Sequence, residues 1–485
     1  DNHITIDGAT ELATNDDVAK RFEAYGWHVL DLGEVANDLD VLEAGLRAGM
    51  AEAERPSLLI LRSHIGWPAP HRTDTKEAHG EVFGEDEIRE TKELLGLPPE
   101  EFYSPQDVVD FYRAAGRAGR QDRLQWEERR ALLEGDDAAA YEACLAGRGL
   151  PGWSEKLPVF EPGTNLATRR AINKCVNATA GGLPGLVAGA ADLTGNTGVS
   201  LEGSQPQSRE DPGGNQVHFG IREFGMASAL NGMALHGGII PVGGTFFVFS
   251  DYARPAVRLA ALSQAHSIFF FTHDSIGLGE DGPTHQPIEQ LASLRAMPGL
   301  RLIRPADANE CAQAWRIAVD ADGPTALVMS RQDVPVLDGT AELAPAGVAQ
   351  GGYVLVHEPA SLDVVLIGTG SEVQLCVAAA EELSQSGVGA RVVSLPSWDL
   401  FEAADPAYKT SVIPAGVPRL AVEAAASFGW DRYADATIAI DRFGASAPWV
   451  RNMTEFGFTA ENVVAKARLL LSQRGAHGAE TKESE

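Results

Sequence analysis

The sequence is poor in cysteine, in positive charge and in long apolar runs, and each shortage excludes a class of protein. Its four cysteines form no C-x-x-C pair, so we expect neither a disulfide framework nor a zinc site. A reducing cytoplasm fits this pattern. The thiols are predicted to be small buried hydrophobic groups at Cys144, Cys175, Cys311 and Cys376.

Positive charge is scarce, because 39 Lys and Arg stand against 68 Asp and Glu and leave a formal charge of −29. Partners with a phosphate backbone need clustered Lys and Arg, so nucleic acid is not expected as a partner. The chain also has no run of about 18 apolar residues, so a membrane span is not predicted.

What the chain does contain is typical of a globular protein, with 44% hydrophobic and 22% charged residues. A length of 485 residues is too great for one hydrophobic core, so two or three domains are expected. Predicted strands alternate with predicted helices along most of the chain. This order predicts an α/β protein with three doubly wound domains and mainly parallel sheets.

Segments rich in glycine and proline separate the predicted domains. The predicted order is a first domain at 1–145, a linker at 146–163, a second domain at 164–336, a linker at 337–350, a third domain at 351–473 and a disordered tail at 474–485. The second domain is predicted to open with a helix from Asn165. In the first domain, the apolar run from Ser57 to Ser63 is typical of a strand buried on both faces.

A short glycine motif, residues 368–372, joins a predicted strand to the helix 372–386. A glycine-rich turn into a helix N-terminus is one way to bind a nucleotide phosphate. The motif lacks a third glycine and a lysine, so a tight turn is the favoured interpretation and a phosphate site the weaker one.

The most informative segment is the loop 272–287, which follows a predicted strand at 267–271 and carries two His, two Asp and one Glu among its glycines. In open α/β sheets, ligands bind at the carboxyl ends of the strands. Imidazoles and carboxylates there supply hydrogen bonds and proton transfer near neutral pH. The loop therefore predicts a functional site.

This loop resembles the transketolase family, and other segments in the same order along nearly the whole chain resemble it too. These segments begin at Asp1, Gly220, Gly243, Arg304, Ser330 and Asp441. The resemblance implies transfer of a two-carbon ketol unit from a ketose phosphate such as xylulose 5-phosphate to an aldose phosphate such as ribose 5-phosphate, in the pentose phosphate pathway. It also implies a homodimer with shared active sites and phosphorylated sugars as partners.

The resemblance implies thiamine diphosphate as cofactor, with Mg²⁺ or another divalent cation. Asn2 and Ile4 match the family's metal ligands, and the family's Gly-Asp-Gly ligand motif would lie upstream of residue 1. The sequence is therefore expected to be an N-terminally truncated fragment with an incomplete first domain.

Other site residues follow from the same resemblance, position by position. Glu223, His285 and His79 match catalytic residues, and Glu223 would bind a ring nitrogen of the pyrimidine. The cofactor would contact Glu223 and His79, together with Phe246, Phe249, Tyr252, Asp192 and Ile65. The sugar phosphate would contact Arg169, Arg331, His273, His285, Asp281 and Asn196.

Three positions depart from the family pattern and put the sugar preference in doubt. Asn196 stands where the family usually has Ser, Ala190 also replaces Ser, and Phe224 replaces His. Two alternatives remain open. One is a related thiamine-diphosphate enzyme, 1-deoxyxylulose-5-phosphate synthase or dihydroxyacetone synthase. The other is a catalytically silent paralogue that acts as an interaction protein.

Overall fold

The computed structural model describes residues 1–480, with side chains described as far as residue 473. The chain divides into two compact units, of which Asp1–Arg130 is unit 1 and the remainder is unit 2. Each unit is described by itself below.

Unit 1 contains four strands and four helices. The strands are β1 (Ile4–Thr5), β2 (Gly8–Ala9), β3 (His28–Gly33) and β4 (Ser57–Leu61). The helices are α1 (Val18–Ala24), α2 (Leu39–Ala51), α3 (Glu85–Leu94) and α4 (Gln106–Arg130).

The only parallel pair among the described strands of unit 1 is β3 with β4, and β1 pairs antiparallel with β2. Helix α1 begins after Asp17, whose carboxylate accepts a hydrogen bond from the Lys20 backbone N–H and caps the helix. Strand β4 is half-buried along its whole length, so the expectation of a strand buried on both faces is wrong. The reason is that β4 pairs only with β3 among the described strands, so one of its edges has no neighbour there.

Unit 2 contains the remaining elements. Its strands are β5 (Asn165–Ala167), β6 (Leu186–Ala190), β7 (Gln216–His218), β8 (Ile240–Phe246), β9 (Ile268–Thr272), β10 (Arg301–Ile303), β11 (Thr325–Met329), β12 (Asp333–Pro335), β13 (Tyr353–Val356), β14 (Val364–Gly368), β15 (Ala390–Ser394), β16 (Arg419–Val422) and β17 (Ala436–Ile438). Its helices are α5 (Gly135–Ala146), α6 (Thr168–Thr179), α7 (Glu223–His236), α8 (Ser250–Ser263), α9 (Gln290–Arg295), α10 (Ala308–Val319), α11 (Thr340–Gly347), α12 (Val373–Gln385), α13 (Trp398–Ala403), α14 (Pro406–Val412), α15 (Trp449–Glu455) and α16 (Ala460–Glu480).

Two larger sheets organise unit 2. The first has the order β10-β11-β9-β8-β6-β7, and every pairing in it is parallel. The second has the order β13-β15-β14-β16-β17, and only its edge strand β13 is antiparallel. All five residues of β9 are buried, as expected for a central parallel strand covered by helices on both faces. The predicted α/β class with mainly parallel sheets is confirmed.

Three local expectations need correction. Residues 165–167 form β5, which pairs antiparallel with β12, so the helix predicted from Asn165 begins at Thr168 instead. The predicted linker 337–350 contains helix α11. Helix α16 continues to Glu480, past the start of the tail predicted at 474, and residues 481–485 lie outside the described part of the chain.

Two further expectations concern composition. None of the helices among the described residues combines the length and the apolarity needed to cross a bilayer. All four cysteines are free, and three are buried, whereas Cys144 is half-buried.

Candidate functional site

The carboxyl ends of the six parallel strands meet at one edge of the first sheet, and predicted site residues lie at or after the ends of five of them. Asp192 comes after β6, Glu223 after β7, His273 after β9 and Arg331 after β11, whereas Phe246 is the last residue of β8. This edge is where ligands bind in open parallel sheets. The topology therefore collects residues that are far apart in the sequence.

Glu223 is the first residue of helix α7 and is largely buried. The residue is 9% exposed, and its side chain makes no hydrogen bond or ion pair with any residue that the structure describes. A largely buried carboxylate is costly without a hydrogen-bond donor. Glu223 is therefore suited to accept a hydrogen bond from a ligand.

Three aromatic side chains form a surface between the end of β8 and the first turn of α8. The Phe246 and Phe249 ring centroids are 6.0 Å apart with planes inclined by only 14°. The Tyr252 ring centroid lies 5.9 Å from that of Phe249, and Tyr252 is 66% exposed. These rings can pack against a flat ring of a ligand.

His273 and His285 join this aromatic surface, and each is oriented by the threonine that precedes it. The ring centroid of Phe246 lies 3.8 Å from that of His273, and the ring centroid of Phe249 lies 5.4 Å from that of His285. Nδ1 of each histidine is 2.9 Å from the hydroxyl of its preceding threonine, Thr272 or Thr284. Nε2 of each ring has no hydrogen-bond partner among the described residues, so it is the nitrogen available to a ligand.

Arg169 and Arg331 lie at one place because the start of α6 is tied to the end of β11. The Arg169 backbone N–H donates to the Ser330 carbonyl at 3.4 Å. Arg169 Nη1 donates to the Asn196 carbonyl at 3.2 Å, and its Nε is buried without a partner among the described atoms. Arg331 is exposed and forms no ion pair with a described residue. Two guanidiniums with free donors can bind an anionic group.

The charges of these arginines also act on His273. Burial, followed by the charges of Arg169 and Arg331, lowers the pKa of His273 to about 3. Its imidazole is therefore neutral near neutral pH and offers one N–H donor without adding charge. The backbone of His273 has a φ of 65°, in the left-handed region that a residue with a side chain rarely adopts.

Asp192 and Asp281 are less tightly tied to the other predicted residues. Asp192 is exposed and has a φ of 63°, so its backbone is strained like that of His273. Asp281 is exposed on the loop 272–287, and no interaction joins it to another predicted site residue within the described chain.

The loop 272–287 packs against the segment 444–452, which forms hydrogen bonds with it. The Gln286 side-chain amide donates to the Gly279 carbonyl at 2.9 Å and to the Ala445 carbonyl at 3.0 Å. A Cβ at Gly444 would lie 1.7 Å from Gln286 Oε1, so only glycine permits this close approach. These contacts pack the end of the loop against residues 444 and 445.

One group of buried charges was missed by the sequence analysis. Arg304 follows β10, is 0% exposed, and forms ion pairs with Asp274 at 2.7 Å and Glu372 at 2.5 Å. Glu423 pairs with Arg295 at 2.7 Å in the same region. The only sign of this group in the sequence was an arginine directly after a predicted strand. Arg304 was named there as the start of a segment that resembles the family, without a role of its own.

Among the predicted site residues of unit 1, contacts link Asn2 and Ile4 with the segment that carries His79. Asn2 Oδ1 accepts a hydrogen bond from the Ile4 backbone N–H at 3.0 Å, and β1 lies beside the 3-10 turn that carries the exposed His79. Ile65 accepts a backbone hydrogen bond from Asp74 at 3.0 Å. The Asn2 oxygen keeps a second lone pair that can bind a cation.

No group of three or more His, Cys, Asp or Glu suited to a metal occurs among the described residues. A cavity of about 760 Å³ in unit 1 contains none of the predicted site residues; it is lined by Glu34, Ala36, Asn37, Asp38, Leu39, Asp40, Arg62, His64 and Trp67.

Comparison with known families matches nearly the whole chain in three parts. Residues 1–144 match the thiamine diphosphate binding domain of transketolase. Residues 164–336 match the transketolase pyrimidine binding domain, and residues 351–459 match the transketolase-like C-terminal domain.

Individual proteins give the same result. The chain is 45% identical over 483 residues to a transketolase of Nostoc sp., which covers 97% of this chain and 72% of the relative. It is 46% identical over 485 residues to the transketolase of Geobacillus stearothermophilus, with the same coverage of 97% and 72%.

Solved structures agree as well. Transketolase from Leishmania mexicana superposes with a TM-score of 0.93 at 37% identity, covering 97% of this chain and 70% of that one. A complex of Pichia stipitis transketolase with sedoheptulose 7-phosphate gives a TM-score of 0.94 at 34% identity, covering 98% and 71%.

Proposed function

The chain belongs to the transketolase family, and on that premise we propose that it transfers a ketol unit between phosphorylated sugars, from xylulose 5-phosphate to ribose 5-phosphate. It is a transferase that uses thiamine diphosphate. The observation that carries the choice of sugar phosphates is the cluster of Arg169 and Arg331, whose free guanidinium donors lie on the strand-end edge beside His273. Guanidiniums bind phosphate in a fixed geometry, and this pair has no carboxylate partner of its own among the described residues.

The residues of this edge fit the cofactor. Glu223 would accept the hydrogen bond of a pyrimidine nitrogen, since its buried carboxylate has no donor within the described chain. Phe246, Phe249 and Tyr252 would pack against the pyrimidine ring, and Asp192 would lie beside the thiamine. When bound, thiamine diphosphate supplies the nucleophilic carbon that carries the ketol unit.

The diphosphate end of the cofactor would be bound by unit 1. Asn2 and Ile4 would hold a divalent cation through a side-chain oxygen and a backbone carbonyl, which are ligands that Mg²⁺ accepts. Ile65 and His79 would line the same part of the site. His79 is exposed and free to meet a ligand.

On the substrate, Arg169, Arg331 and His273 would bind the phosphate, with Asn196 at its edge. His285 would hold or move a proton on a sugar hydroxyl through its free Nε2, since the Thr284 hydroxyl fixes Nδ1. Asp281 would accept a hydrogen bond from another hydroxyl. Domain boundaries at 1–145, 164–336 and 351–473 are part of the same proposal.

A homodimer with shared active sites is the proposed assembly. Large apolar side chains remain exposed along α7 and α8, namely Phe224, Leu235, Tyr252, Leu259 and Leu262. Apolar faces of this kind are typical of interfaces between copies of a chain. Light scattering at assay concentration should give the mass of a dimer, and a fully active monomer would contradict the assembly. The four free thiols favour a cytoplasmic location.

The function is tested by supplying xylulose 5-phosphate and ribose 5-phosphate with thiamine diphosphate and Mg²⁺. The expected products are sedoheptulose 7-phosphate and glyceraldehyde 3-phosphate. Formation of 1-deoxyxylulose 5-phosphate from pyruvate and glyceraldehyde 3-phosphate would instead favour the synthase. Preference for formaldehyde as acceptor would favour dihydroxyacetone synthase, and no turnover with any pair would favour a silent paralogue.

A further inference from the structure

Arg304 connects two parts of unit 2 through a fully buried guanidinium. On one side, its Nε and Nη2 donate to Asp274 Oδ2 at 3.0 Å and 2.7 Å. On the other side, its Nη1 donates to the Thr369 hydroxyl at 3.0 Å and to Glu372 Oε2 at 2.5 Å. One side chain therefore ties the loop after β9 to the turn after β14.

The Asp274 side of this contact fixes the residue next to it in the chain. His273 has a φ of 65°, a conformation that persists only where the surroundings impose it. Asp274 is 2% exposed, and two nitrogens of the Arg304 guanidinium donate to its carboxylate. The neighbouring His273 ring is thereby kept over Phe246, near Arg169 and Arg331.

The Glu372 side is anchored independently of the loop. Glu372 Oε2 also accepts from the Ala424 backbone N–H at 3.0 Å, and the Thr369 hydroxyl donates to Glu423 at 2.6 Å. Gly370 has a φ of 54°, and a Cβ there would lie 2.6 Å from the Arg304 guanidinium. The turn after β14 is thus shaped around Arg304, which explains the glycine motif 368–372 as a support for this side chain.

The carboxylates around Arg304 stabilise its charged form. Burial alone would lower the pKa of Arg304, but Glu372, Asp274 and Glu423 raise it above its ordinary value. The guanidinium therefore stays charged, and removing any acceptor leaves it buried with less compensation. A lysine has no planar fork and cannot bridge the two carboxylates in the same way.

We propose that Arg304 is a positioning residue for phosphate binding, which holds His273 in place through Asp274 and takes its own support from Thr369 and Glu372. This inference rests on the proposed function, because the ligand that His273 meets is the phosphate of the sugar. Residues of the 351–459 region thereby influence substrate affinity without touching the substrate.

The first test uses matched substitutions in the intact enzyme loaded with its cofactor. Glu372→Gln weakens the support of Arg304, and Glu358→Gln is the control, because Glu358 also pairs with an arginine, Arg391, in unit 2 away from the loop. Glu372→Gln should raise the KM for xylulose 5-phosphate roughly tenfold, within the range of couplings carried by buried networks. Its kcat with hydroxypyruvate, a donor without phosphate, should stay near that of the control.

A double-mutant cycle separates positioning from general damage. Arg304→Lys should raise the KM for xylulose 5-phosphate in the native background. It should add little in a His273→Ala background, because both changes remove the contact between His273 and the phosphate. Additive effects, or equal effects on both donors, would overturn the proposal.

A second readout needs no activity. Amide hydrogen exchange of residues 272–279 should be faster in Glu372→Gln than in Glu358→Gln. Unchanged exchange would refute the positioning role even if the fold is intact. Absence of ketol transfer by the native enzyme would refute the proposed function instead, and the exchange measurement would still decide the role of Arg304.

Discussion

The charged side chains of unit 2 fall into two groups that differ in how completely their polar atoms are partnered. The network of Arg304, Asp274, Glu372, Glu423 and Arg295 is buried, and each of its charged side chains pairs with at least one opposite charge. The predicted site residues lie on the edge of a sheet in the same unit, and several of their donors and acceptors have no partner within the described chain. A partnered charge supports the fold, whereas an unpartnered one at a strand end is ready for a ligand.

The open group includes Glu223, Arg169, Arg331 and Nε2 of both histidines. Their proximity comes from topology, because parallel strands bring their carboxyl ends to one edge. We therefore expect substitutions in the buried network to lower stability, and those that loosen Arg304 to raise the KM for phosphorylated donors as well. Substitutions in the open group should mainly lower activity.

The largest effect is expected at Glu423. Its carboxylate pairs with Arg295 and accepts from Trp430 Nε1 at 2.8 Å, so Glu423→Ala leaves a buried guanidinium uncompensated. We expect a loss of about 3–5 kcal/mol of unfolding free energy, measured by urea unfolding with tryptophan fluorescence. The matched change Glu358→Ala, at a more accessible pair, should cost less. Equal losses would mean that burial is not what makes the Glu423 pair important.

The same residue should shape the acid limb of stability. Burial alone would raise the pKa of Glu423, but Arg295, Arg304 and Thr369 together lower it to about 2 from its ordinary value of 4.5. A lowered pKa contributes stability that is present above pH 4.5 and lost as pH falls toward 2. Glu423→Gln should therefore show a shallower loss of stability across that interval, and an unchanged acid limb would contradict the assignment.

The next effect concerns Glu223. Glu223→Gln keeps the shape of the side chain and removes its charge, so kcat should fall about a hundredfold with cofactor saturating, the scale of acid–base effects. Unfolding should hardly change, because no described residue depends on this carboxylate. If the variant has the kcat of the native enzyme, Glu223 is not a catalytic residue. If the variant has a clearly lower free energy of unfolding, Glu223 supports the fold as the buried network does.

A smaller effect is expected at the two arginines. Arg169→Ala or Arg331→Ala should weaken phosphorylated donors by about 1.5–3 kcal/mol, the value of a hydrogen bond to a charged group. Hydroxypyruvate should be much less affected. Arg170→Ala is the control, because Arg170 is the neighbouring arginine and already pairs with Asp333. If both kinds of donor suffer equally, the arginines are structural.

The sequence predicted elements that local patterns determine. Helix α12 was predicted at 372–386 and runs from Val373 to Gln385, because the spacing of its apolar residues is a local signal. Strand β5 was missed because its pairing with β12 depends on residues far along the chain. The ligand-facing residues came from the family resemblance and remain predictions one by one.

The buried network could not be predicted for the same reason as β5. The partners of Arg304 come from two distant segments, and the sequence around Arg304 gives no sign that the carboxylates of Asp274 and Glu372 bind it. The left-handed φ of His273 could not be predicted from the sequence either, because tertiary contacts impose this conformation on a histidine.

The smallest effect is expected at Asn196, where the family usually has Ser. The contact between Asn196 and Arg169 uses the Asn196 backbone carbonyl, at 3.2 Å, and does not depend on the exposed side chain. Asn196→Ser should therefore change the KM for xylulose 5-phosphate by less than about fivefold, below about 1 kcal/mol, the scale of one neutral hydrogen bond. The measurement should include donors of different chain length, because a change in their ranking would show that the Asn196 side chain reads the sugar. A change above tenfold for every phosphorylated donor would place the Asn196 side chain in the phosphate clamp itself, on about the same footing as Arg169.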